Sequence, residues 1–208
     1  MLKGVTNILF DLGGVLFHID YQRTIDAFKK LGITDFEKRF TQYQQNNLFD
    51  AFETGKINPE VFVKTLQESL PACSDQEIVD AWNAMLIGFP KEYLKFLEEL
   101  GKKYRLFLLS NANKIHIEFV NTFLKERYKI PSMNQFFEKA YYSHEIEMRK
   151  PHKSTFEWVL KDANILAEET LFIEDTAQHI EGAKQAGLKT LYLKSNTAII
   201  SLFPDTTL

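Results

Sequence analysis

The sequence predicts an α/β fold in which a doubly wound, parallel five-stranded sheet is covered by helices and interrupted by a helical domain. Short apolar runs, rich in β-branched and aromatic residues, alternate along the 208 residues with segments of helical periodicity. Each run has four to six residues, which is typical of strands buried on both faces of a parallel sheet. The interval between the first two runs is much longer than one crossover helix needs, which indicates the insertion.

The five predicted strands are residues 5–10, 105–109, 139–142, 170–173 and 189–193. Helical patterns with recognisable ends lie between several of them. The segment 90–100 places apolar residues on one face and is followed by Gly101, and the segment 180–186 is followed by Gly187. Strands that alternate with helices in this way form a parallel sheet with helices on both faces.

The interval between Asp11 and Ser110 contains the predicted insertion. It spans 99 residues, whereas a strand–helix–strand unit needs about 30, so about 70 residues are surplus. These residues carry helix starts: Asn58-Pro59 is typical of an N-cap followed by proline, and Ser74-Asp75-Gln76-Glu77 fits a capping box. We therefore predict an α/β core domain of residues 1–17 and 87–208, and a helical cap domain of residues 18–86.

Composition and charge argue against several classes of protein. The 25 Lys and Arg against 28 Asp and Glu give a formal net charge of -3 without a basic stripe, so we expect no nucleic-acid partner. No apolar run approaches the roughly 20 residues that span a bilayer, and Asp11 interrupts the apolar start of the chain, so we expect no membrane partner and a cytoplasmic location. Cys73 is the sole cysteine, which excludes cysteine-rich zinc sites. The absence of a heptad pattern leaves the oligomeric state open.

Polar residues follow the predicted strands at the edge of the sheet where ligands bind in open α/β folds. In chain order they are Asp11-Leu12-Gly13-Gly14, Ser110-Asn111, Arg149-Lys150-Pro151 and Glu174-Asp175-Thr176. Each group alone is explained by a turn, a helix cap or a solvated side chain. Their joint occurrence after consecutive strands predicts one functional site.

The chemistry that these residues suit is phosphoryl transfer. Asp11 has a carboxylate that can attack phosphorus and form an aspartyl-phosphate, which divides one difficult step into two easier ones. Oxygen ligands from Asp11 and Asp175 suit Mg²⁺, which also binds substrate phosphate. Lys150 supplies a fixed positive charge, and the Ser110 hydroxyl is a donor for phosphoryl oxygens. The Gly13-Gly14 pair lets the backbone turn sharply and approach the ion or the phosphate.

The order of these motifs resembles that of the haloacid dehalogenase (HAD) superfamily, a group dominated by phosphatases. The matching stretches are Ile8 to Leu16, Leu108-Leu109-Ser110-Asn111, Arg149-Lys150-Pro151 and Phe172-Ile173-Glu174-Asp175-Thr176, and the resemblance extends from residue 8 to about residue 193. The helical insertion lies where that family places its C1 cap. Phe52-Glu53-Thr54-Gly55 and Trp82-Asn83-Ala84 are similar to stretches of the bacterial α-D-glucose-1-phosphate phosphatases of this superfamily.

The resemblance implies a Rossmann-like HAD sheet and a Mg²⁺-dependent phosphatase acting on a small phosphorylated metabolite, with a sugar phosphate as the first expectation. Asp11 is the implied nucleophile, and the cap is expected to exclude water from the site. The implied residues are Asp11, Ser110 and Lys150 for catalysis, Ser110, Asn111 and Lys150 for substrate binding, and Asp11, the Gly13 carbonyl, Asp175 and Glu174 for the metal site.

One position departs from the family pattern. Phosphatases of the superfamily usually carry a second Asp, acting as general acid and base, where this chain has Gly13. Loss of such a proton donor costs roughly 10²–10⁴-fold in rate. This departure leaves three alternatives. The enzyme is slow, it acts on substrates whose leaving group tolerates negative charge, or another residue supplies the proton. Candidates for that residue are His18, Asp20 and Tyr21.

Three other classes of protein share part of this pattern. The dehalogenase branch of the superfamily also lacks the second Asp, but it attacks carbon without a metal, and the Glu174-Asp175 pair favours phosphate chemistry. A signalling receiver domain carries its acidic pair after the first strand and its phosphate acceptor after the third, the reverse of the order found here. A catalytically weak, ligand-binding protein of HAD fold stays open because of Gly13.

Overall fold

The computed structural model describes residues 2–36, 47–194 and 197–203. The strands of these residues are β1 (Asn7–Phe10), β2 (His18–Ile19), β3 (Leu86–Gly88), β4 (Arg105–Ser110), β5 (Lys139–Tyr142), β6 (Thr170–Glu174) and β7 (Lys189–Tyr192). A five-stranded sheet has the order β5-β4-β1-β6-β7 with every neighbouring pair parallel, and β2 and β3 form an antiparallel pair. The predicted five-stranded parallel α/β sheet is confirmed.

The α-helices of the described residues include the predicted ones. They are α1 (Tyr21–Leu31), α2 (Asn47–Glu53), α3 (Pro59–Gln67), α4 (Asp75–Asn83), α5 (Glu92–Gly101), α6 (Lys114–Tyr128), α7 (Ser143–Ile146), α8 (Lys153–Ala163) and α9 (Ala177–Gln185). The Asn58 side chain accepts a hydrogen bond from the Val61 N–H at 2.9 Å, which caps α3. Ser74 and Glu77 form the expected capping box of α4. The helix α5 ends at Gly101, one residue beyond the predicted end at residue 100.

The sheet is buried on both faces, as a doubly wound fold requires. Ile8 and Phe10 of β1 pack in one hydrophobic cluster with residues of α5 and α6. Leu9, which points to the opposite face because side chains alternate along a strand, packs with residues of α8 and α9. β1 therefore lies at the centre of the sheet with helices on either side.

A third cluster is formed by the helices between β2 and β3. Its largest buried side chains are those of Phe28, Phe36, Phe49, Phe52, Phe62 and Trp82. The sequence favours a role in the hydrophobic core for the phenylalanines of this segment, and the five named here are buried in the cluster. Phe40, for which the same role is predicted, lies outside the described residues. Ile115 of α6 belongs to the same cluster, so these helices pack against α6. The division into domains 1–17 with 87–208 and 18–86 stays a prediction.

Within the described residues, no helix combines the length and the apolar character needed to cross a membrane. The expected cytoplasmic location stays a prediction.

Candidate active site

The predicted site residues meet at one edge of the sheet. Asp11 directly follows β1, Ser110 is the last residue of β4, and Glu174 is the last residue of β6. These three strands are neighbours and run parallel, so their carboxyl ends lie side by side. A cavity opens there, and its lining includes Asp11, Gly13, Ser110, Asn111, Lys150 and Asp175.

Lys150 is fully buried between two carboxylates. Its Nζ lies 2.7 Å from Oδ1 of Asp11 and 2.7 Å from Oε2 of Glu174. Burial alone would lower the pKa of Lys150, but the charges of Asp11 and Glu174 outweigh it and raise this pKa above its usual value. The ammonium is therefore a permanent positive charge beside the Asp11 carboxylate.

Asn111 fixes the backbone that carries Lys150. Its Nδ2 donates to the Lys150 carbonyl at 3.0 Å, and its Oδ1 accepts from the Lys150 N–H at 2.9 Å. The sequence predicts a substrate-binding role for Asn111. The structure shows this reciprocal pair, while Asn111 also lines the cavity.

Glu174 is held by four donors and is fully buried, outside the residues that line the cavity. Its carboxylate accepts from Lys150 Nζ, from His179 Nδ1 at 2.9 Å, and from the backbone N–H groups of Asp175 and Thr176 at 3.0 and 3.1 Å. Burial would raise the pKa of Glu174, but the charge of Lys150 and the His179 hydrogen bond hold this pKa well below its usual value. Glu174 therefore orients the Lys150 ammonium.

His179 is a residue of the site that the sequence analysis did not identify. It lies in α9, one turn after β6 ends, and it is 7% exposed. Burial lowers the pKa of its imidazole, so the ring is neutral near pH 7. Because the Glu174 carboxylate only accepts hydrogen bonds, Nδ1 carries the ring proton. A histidine one helical turn after an acidic strand end is the signal that would have found it.

Three carboxylates gather beside Lys150. Oxygen atoms of Asp11, Glu174 and Asp175 all lie within 4.8 Å of one another. Burial and the charges of Glu174 and Asp175 raise the pKa of Asp11 well above its usual value. Burial, with the hydrogen bond and charge of Glu174, raises the pKa of Asp175 to about 7. Three hard oxygen donors around one ammonium fit a divalent cation such as Mg²⁺, which would offset their mutual repulsion.

Gly14 allows the loop after β1 to pass directly beside Asp175. Its φ is +78°, and a Cβ at this position would overlap the Asp175 carboxylate. At Gly13 a Cβ would lie 3.1 Å from Cδ1 of Ile19, the end of a flexible side chain. The sharp turn that the sequence assigns to the glycine pair therefore depends on Gly14.

Of the proton-donor candidates, Tyr21 lines the cavity. His18 is exposed in β2, and the Asp20 side chain caps α1 by accepting from the Gln22 N–H at 3.0 Å. Burial, and then the charge of Glu53, raise the pKa of the Tyr21 phenol well above its usual value. The phenol is therefore protonated and can donate.

Two further charged residues line the cavity. Arg149 Nη2 lies 3.1 Å from Oε2 of Glu53, and Arg149 Nη1 lies 2.7 Å from Oδ1 of Asp50. Neither residue was predicted to be part of the site, although Arg149 belongs to the motif Arg149-Lys150-Pro151. The motif Phe52-Glu53-Thr54-Gly55 was the available signal for Glu53.

A family model described as haloacid dehalogenase-like hydrolase matches residues 8–193. The chain belongs to this family. The resemblance that the motifs indicate is thereby confirmed, and the protein is a HAD hydrolase. The closer similarity to α-D-glucose-1-phosphate phosphatases stays a prediction.

Similar proteins are found in two bacterial species. This HAD hydrolase is 30% identical, over 192 residues, to the D-ribitol-5-phosphate phosphatase of Bacteroides thetaiotaomicron, a match that covers 89% of the chain and 90% of that protein. A HAD family enzyme from the same species, crystallised in complex with magnesium and inorganic phosphate, superposes with a TM-score of 0.86 at 34% identity, covering 96% and 99% of the two chains. A HAD-like family hydrolase from Porphyromonas gingivalis gives a TM-score of 0.88 at 28% identity, covering 98% of each chain.

Proposed function

We propose that this HAD hydrolase is a Mg²⁺-dependent phosphatase that acts on a small phosphorylated metabolite through an aspartyl-phosphate on Asp11. The observation that carries the proposal is the buried Lys150 ammonium, 2.7 Å from the Asp11 carboxylate, at the edge of the sheet. A fixed positive charge beside a carboxylate nucleophile stabilises the charge that develops when a phosphate ester reacts. The similarity to a D-ribitol-5-phosphate phosphatase supports the same chemistry.

Asp11 and Asp175 are the side chains that would hold Mg²⁺, with the Gly13 carbonyl as a further ligand from the family resemblance. Glu174 belongs to the same carboxylate cluster, and its four donors favour a supporting role over direct ligation. When bound, Mg²⁺ neutralises negative charge on the phosphoryl group and on the carboxylates around it.

In the proposed reaction, a carboxylate oxygen of Asp11 forms a bond to phosphorus and the bond from phosphorus to the leaving-group oxygen breaks. The leaving oxygen takes up a proton and departs as an alcohol. A water molecule then attacks phosphorus, loses a proton, and releases inorganic phosphate together with the free Asp11 carboxylate. Lys150 and the Ser110 hydroxyl bind the phosphoryl oxygens throughout, and Lys150 keeps its proton.

Tyr21 is the proposed source of the leaving-group proton. Gly13 has no side chain to supply it, whereas the protonated Tyr21 phenol lines the same cavity as Asp11. An alcohol leaving group gains most from such a donor, because an alkoxide is a strong base.

The proposed substrate is a phosphorylated sugar or sugar alcohol. The similarity to the relative named D-ribitol-5-phosphate phosphatase supports this class. We propose no nucleic-acid or membrane partner.

The test is phosphate release from a panel of phosphorylated metabolites, with and without Mg²⁺, by the wild type and by Asp11→Asn. We expect Mg²⁺-dependent release from sugar or polyol phosphates, lost in Asp11→Asn. Turnover that is independent of the metal would refute the mechanism. Release from every ester that is unchanged by Asp11→Asn would favour the catalytically weak binding protein.

A parallel assay addresses the dehalogenase alternative. Halide release from 2-haloacids in the presence of EDTA measures carbon–halogen hydrolysis without a metal. We expect none from this protein, because the Glu174-Asp175 pair suits a metal site.

A further inference from the structure

Glu53 and Arg149 form an ion pair in the wall of the cavity, and the proposed reaction uses neither residue. Glu53 is 7% exposed although it carries a carboxylate, and its Oε2 lies 3.1 Å from Arg149 Nη2. Removing a charged group from water is costly unless a partner of opposite charge accompanies it. Arg149 therefore stabilises a carboxylate in the wall of a site that also contains Asp11.

The segments that carry the ion pair pack against residues that follow the sheet. The turn after α2 lies directly against the backbone of α7, since a Cβ on Gly55 would overlap the His144 carbonyl oxygen. The Arg149 carbonyl accepts a hydrogen bond from the Thr155 hydroxyl at 2.8 Å, and Lys150 follows Arg149 in the chain. The Glu53 carboxylate is therefore linked, through Arg149, to the segment that carries Lys150.

The chemistry of this wall differs from that of the phosphate-binding residues. An ionised carboxylate only accepts hydrogen bonds, so Glu53 suits the hydroxyl groups of a leaving group. Tyr21 lines the same cavity, and the Glu53 charge contributes to the raised pKa of its phenol. Met85 and Leu86 add apolar surface to the lining for a carbon chain. A second phosphate or a carboxylate on the substrate would be repelled by Glu53, because the positive charge of Arg149 is already shared between Glu53 and Asp50.

We infer that Glu53 is a specificity-determining residue, which accepts hydrogen bonds from a neutral, polyhydroxylated leaving group, and that Arg149 positions its carboxylate. The inference rests on the proposed phosphatase function and names the substrate class of the same site. A wall of this kind selects phosphate monoesters of sugar alcohols or sugars over those of carboxylic acids or bisphosphates.

Two esters with the same type of leaving group test the inference. A pentitol 5-phosphate and n-pentyl phosphate have equal chain lengths and alkoxide leaving groups, but only the first carries further hydroxyl groups. We expect Glu53→Gln to lower kcat/KM for the pentitol ester by about tenfold or more and for the pentyl ester by less than about twofold. With phosphoglycolate, whose leaving group is anionic, the same variant should gain activity, because the repelling charge is removed.

Asp50→Asn is the matched control. Asp50 also pairs with Arg149, but its side chain is 43% exposed and it does not line the cavity. We expect this variant to retain the wild-type preference for the pentitol ester. Glu53→Asp is a second variant. It keeps the negative charge but shortens the side chain by one methylene group, so it should show the same selective loss of kcat/KM for the pentitol ester.

The outcomes separate the two proposals. An equal loss on both alkyl esters in Glu53→Gln and Glu53→Asp, or no loss on either ester, overturns the role of Glu53 and leaves the phosphatase function intact. If the wild type releases phosphate from none of the three esters, or Asp11→Asn does not reduce release, the phosphatase function itself fails.

Discussion

The Nζ atom of Lys150 lies 2.7 Å from Oδ1 of Asp11, and both side chains are buried at the carboxyl edge of the sheet. Glu174 binds the same ammonium at 2.7 Å. A buried charge that loses its partner destabilises a protein by about 3–5 kcal/mol. Lys150 therefore contributes both to the stability of the fold and to the proposed chemistry, because its positive charge balances the buried carboxylates of the site.

Replacing Lys150 by methionine should affect both properties. We expect Lys150→Met to lower phosphate release by about 10²–10³-fold, because the phosphoryl charge loses its fixed partner. The free energy of unfolding should fall by about 3 kcal/mol, because Asp11 and Glu174 are left buried without a cation. Denaturant unfolding and a phosphate assay measure the two effects.

Lys153→Met is the control for that substitution. Lys153 is exposed and pairs with Glu157 on the surface of α8, so its loss should change the free energy of unfolding by less than about 0.5 kcal/mol. Equal effects of the two substitutions would contradict the role of the buried pair.

His179→Asn should raise the Mg²⁺ concentration that the enzyme needs for activity. The imidazole orients Glu174, which in turn orients Lys150 beside the proposed metal ligands. Loss of such a supporting hydrogen bond costs about 10–100-fold in metal affinity or activity. A titration of activity against Mg²⁺ concentration measures the change, and His152→Asn, at an exposed position, should leave the curve as in the wild type.

Tyr21→Phe should distinguish leaving groups by their basicity. If the phenol supplies the proton, kcat/KM for an alkyl phosphate falls by about 10²-fold, while p-nitrophenyl phosphate, whose leaving group is stable as an anion, is little affected. The ratio of the two values of kcat/KM is the measurement. An equal fall for both esters is incompatible with proton donation by Tyr21.

Gly14→Ala should be far more damaging than Gly13→Ala. A Cβ at Gly14 overlaps Asp175 and would sit at a φ of +78°, so we expect a loss of more than about 1 kcal/mol in the free energy of unfolding. A Cβ at Gly13 meets only the end of the Ile19 side chain at 3.1 Å, so the loss there should be smaller. Thermal or denaturant unfolding of the two variants ranks the effects, and the reverse order would contradict the geometry at Gly14.

His116 should make the fold less stable in mild acid. Burial lowers the pKa of His116 to about 4, although its hydrogen bond to the Trp82 carbonyl favours the charged form. Below the pKa of about 6.5 that an unfolded histidine has, the unfolded chain binds a proton that the folded chain does not. As the pH falls from 7 to 5, the free energy of unfolding therefore decreases by about 2 kcal/mol because of this residue.

Unfolding measurements at pH 7 and pH 5 on the wild type and on His116→Gln check this prediction. Glutamine does not titrate, so the variant should lose less stability over that interval. An identical pH dependence of both proteins would show that His116 does not contribute.

Much of the sheet and of the site could be predicted from local features of the sequence. The strands are short apolar runs, and Asp11, Ser110, Lys150 and Asp175 were predicted from the polar residues that follow them. Parallel neighbouring strands bring their ends together whatever lies between them. The caps at Asn58 and Ser74 are local as well, since each depends on hydrogen bonds within one helical turn.

The extent of α6 was not evident from the sequence. Ile117, Val120 and Leu124 pack against the sheet, whereas Ile115 packs with the helices between β2 and β3. A helix that is buried on more than one side does not show a single apolar stripe, so its periodicity is weak.

The sequence by itself determined the strands, the helical insertion and the polar strand ends, because these follow from hydrophobic pattern and short-range capping. Only the tertiary structure decided that His179 supports Glu174 and that Arg149 pairs with Glu53 in the cavity wall. The Arg149 contact joins residues far apart in the chain, and the His179 contact depends on how α9 packs against β6. Side-chain packing sets these partners, because a buried charge is stable only where the fold places an opposite charge or a hydrogen-bond donor beside it.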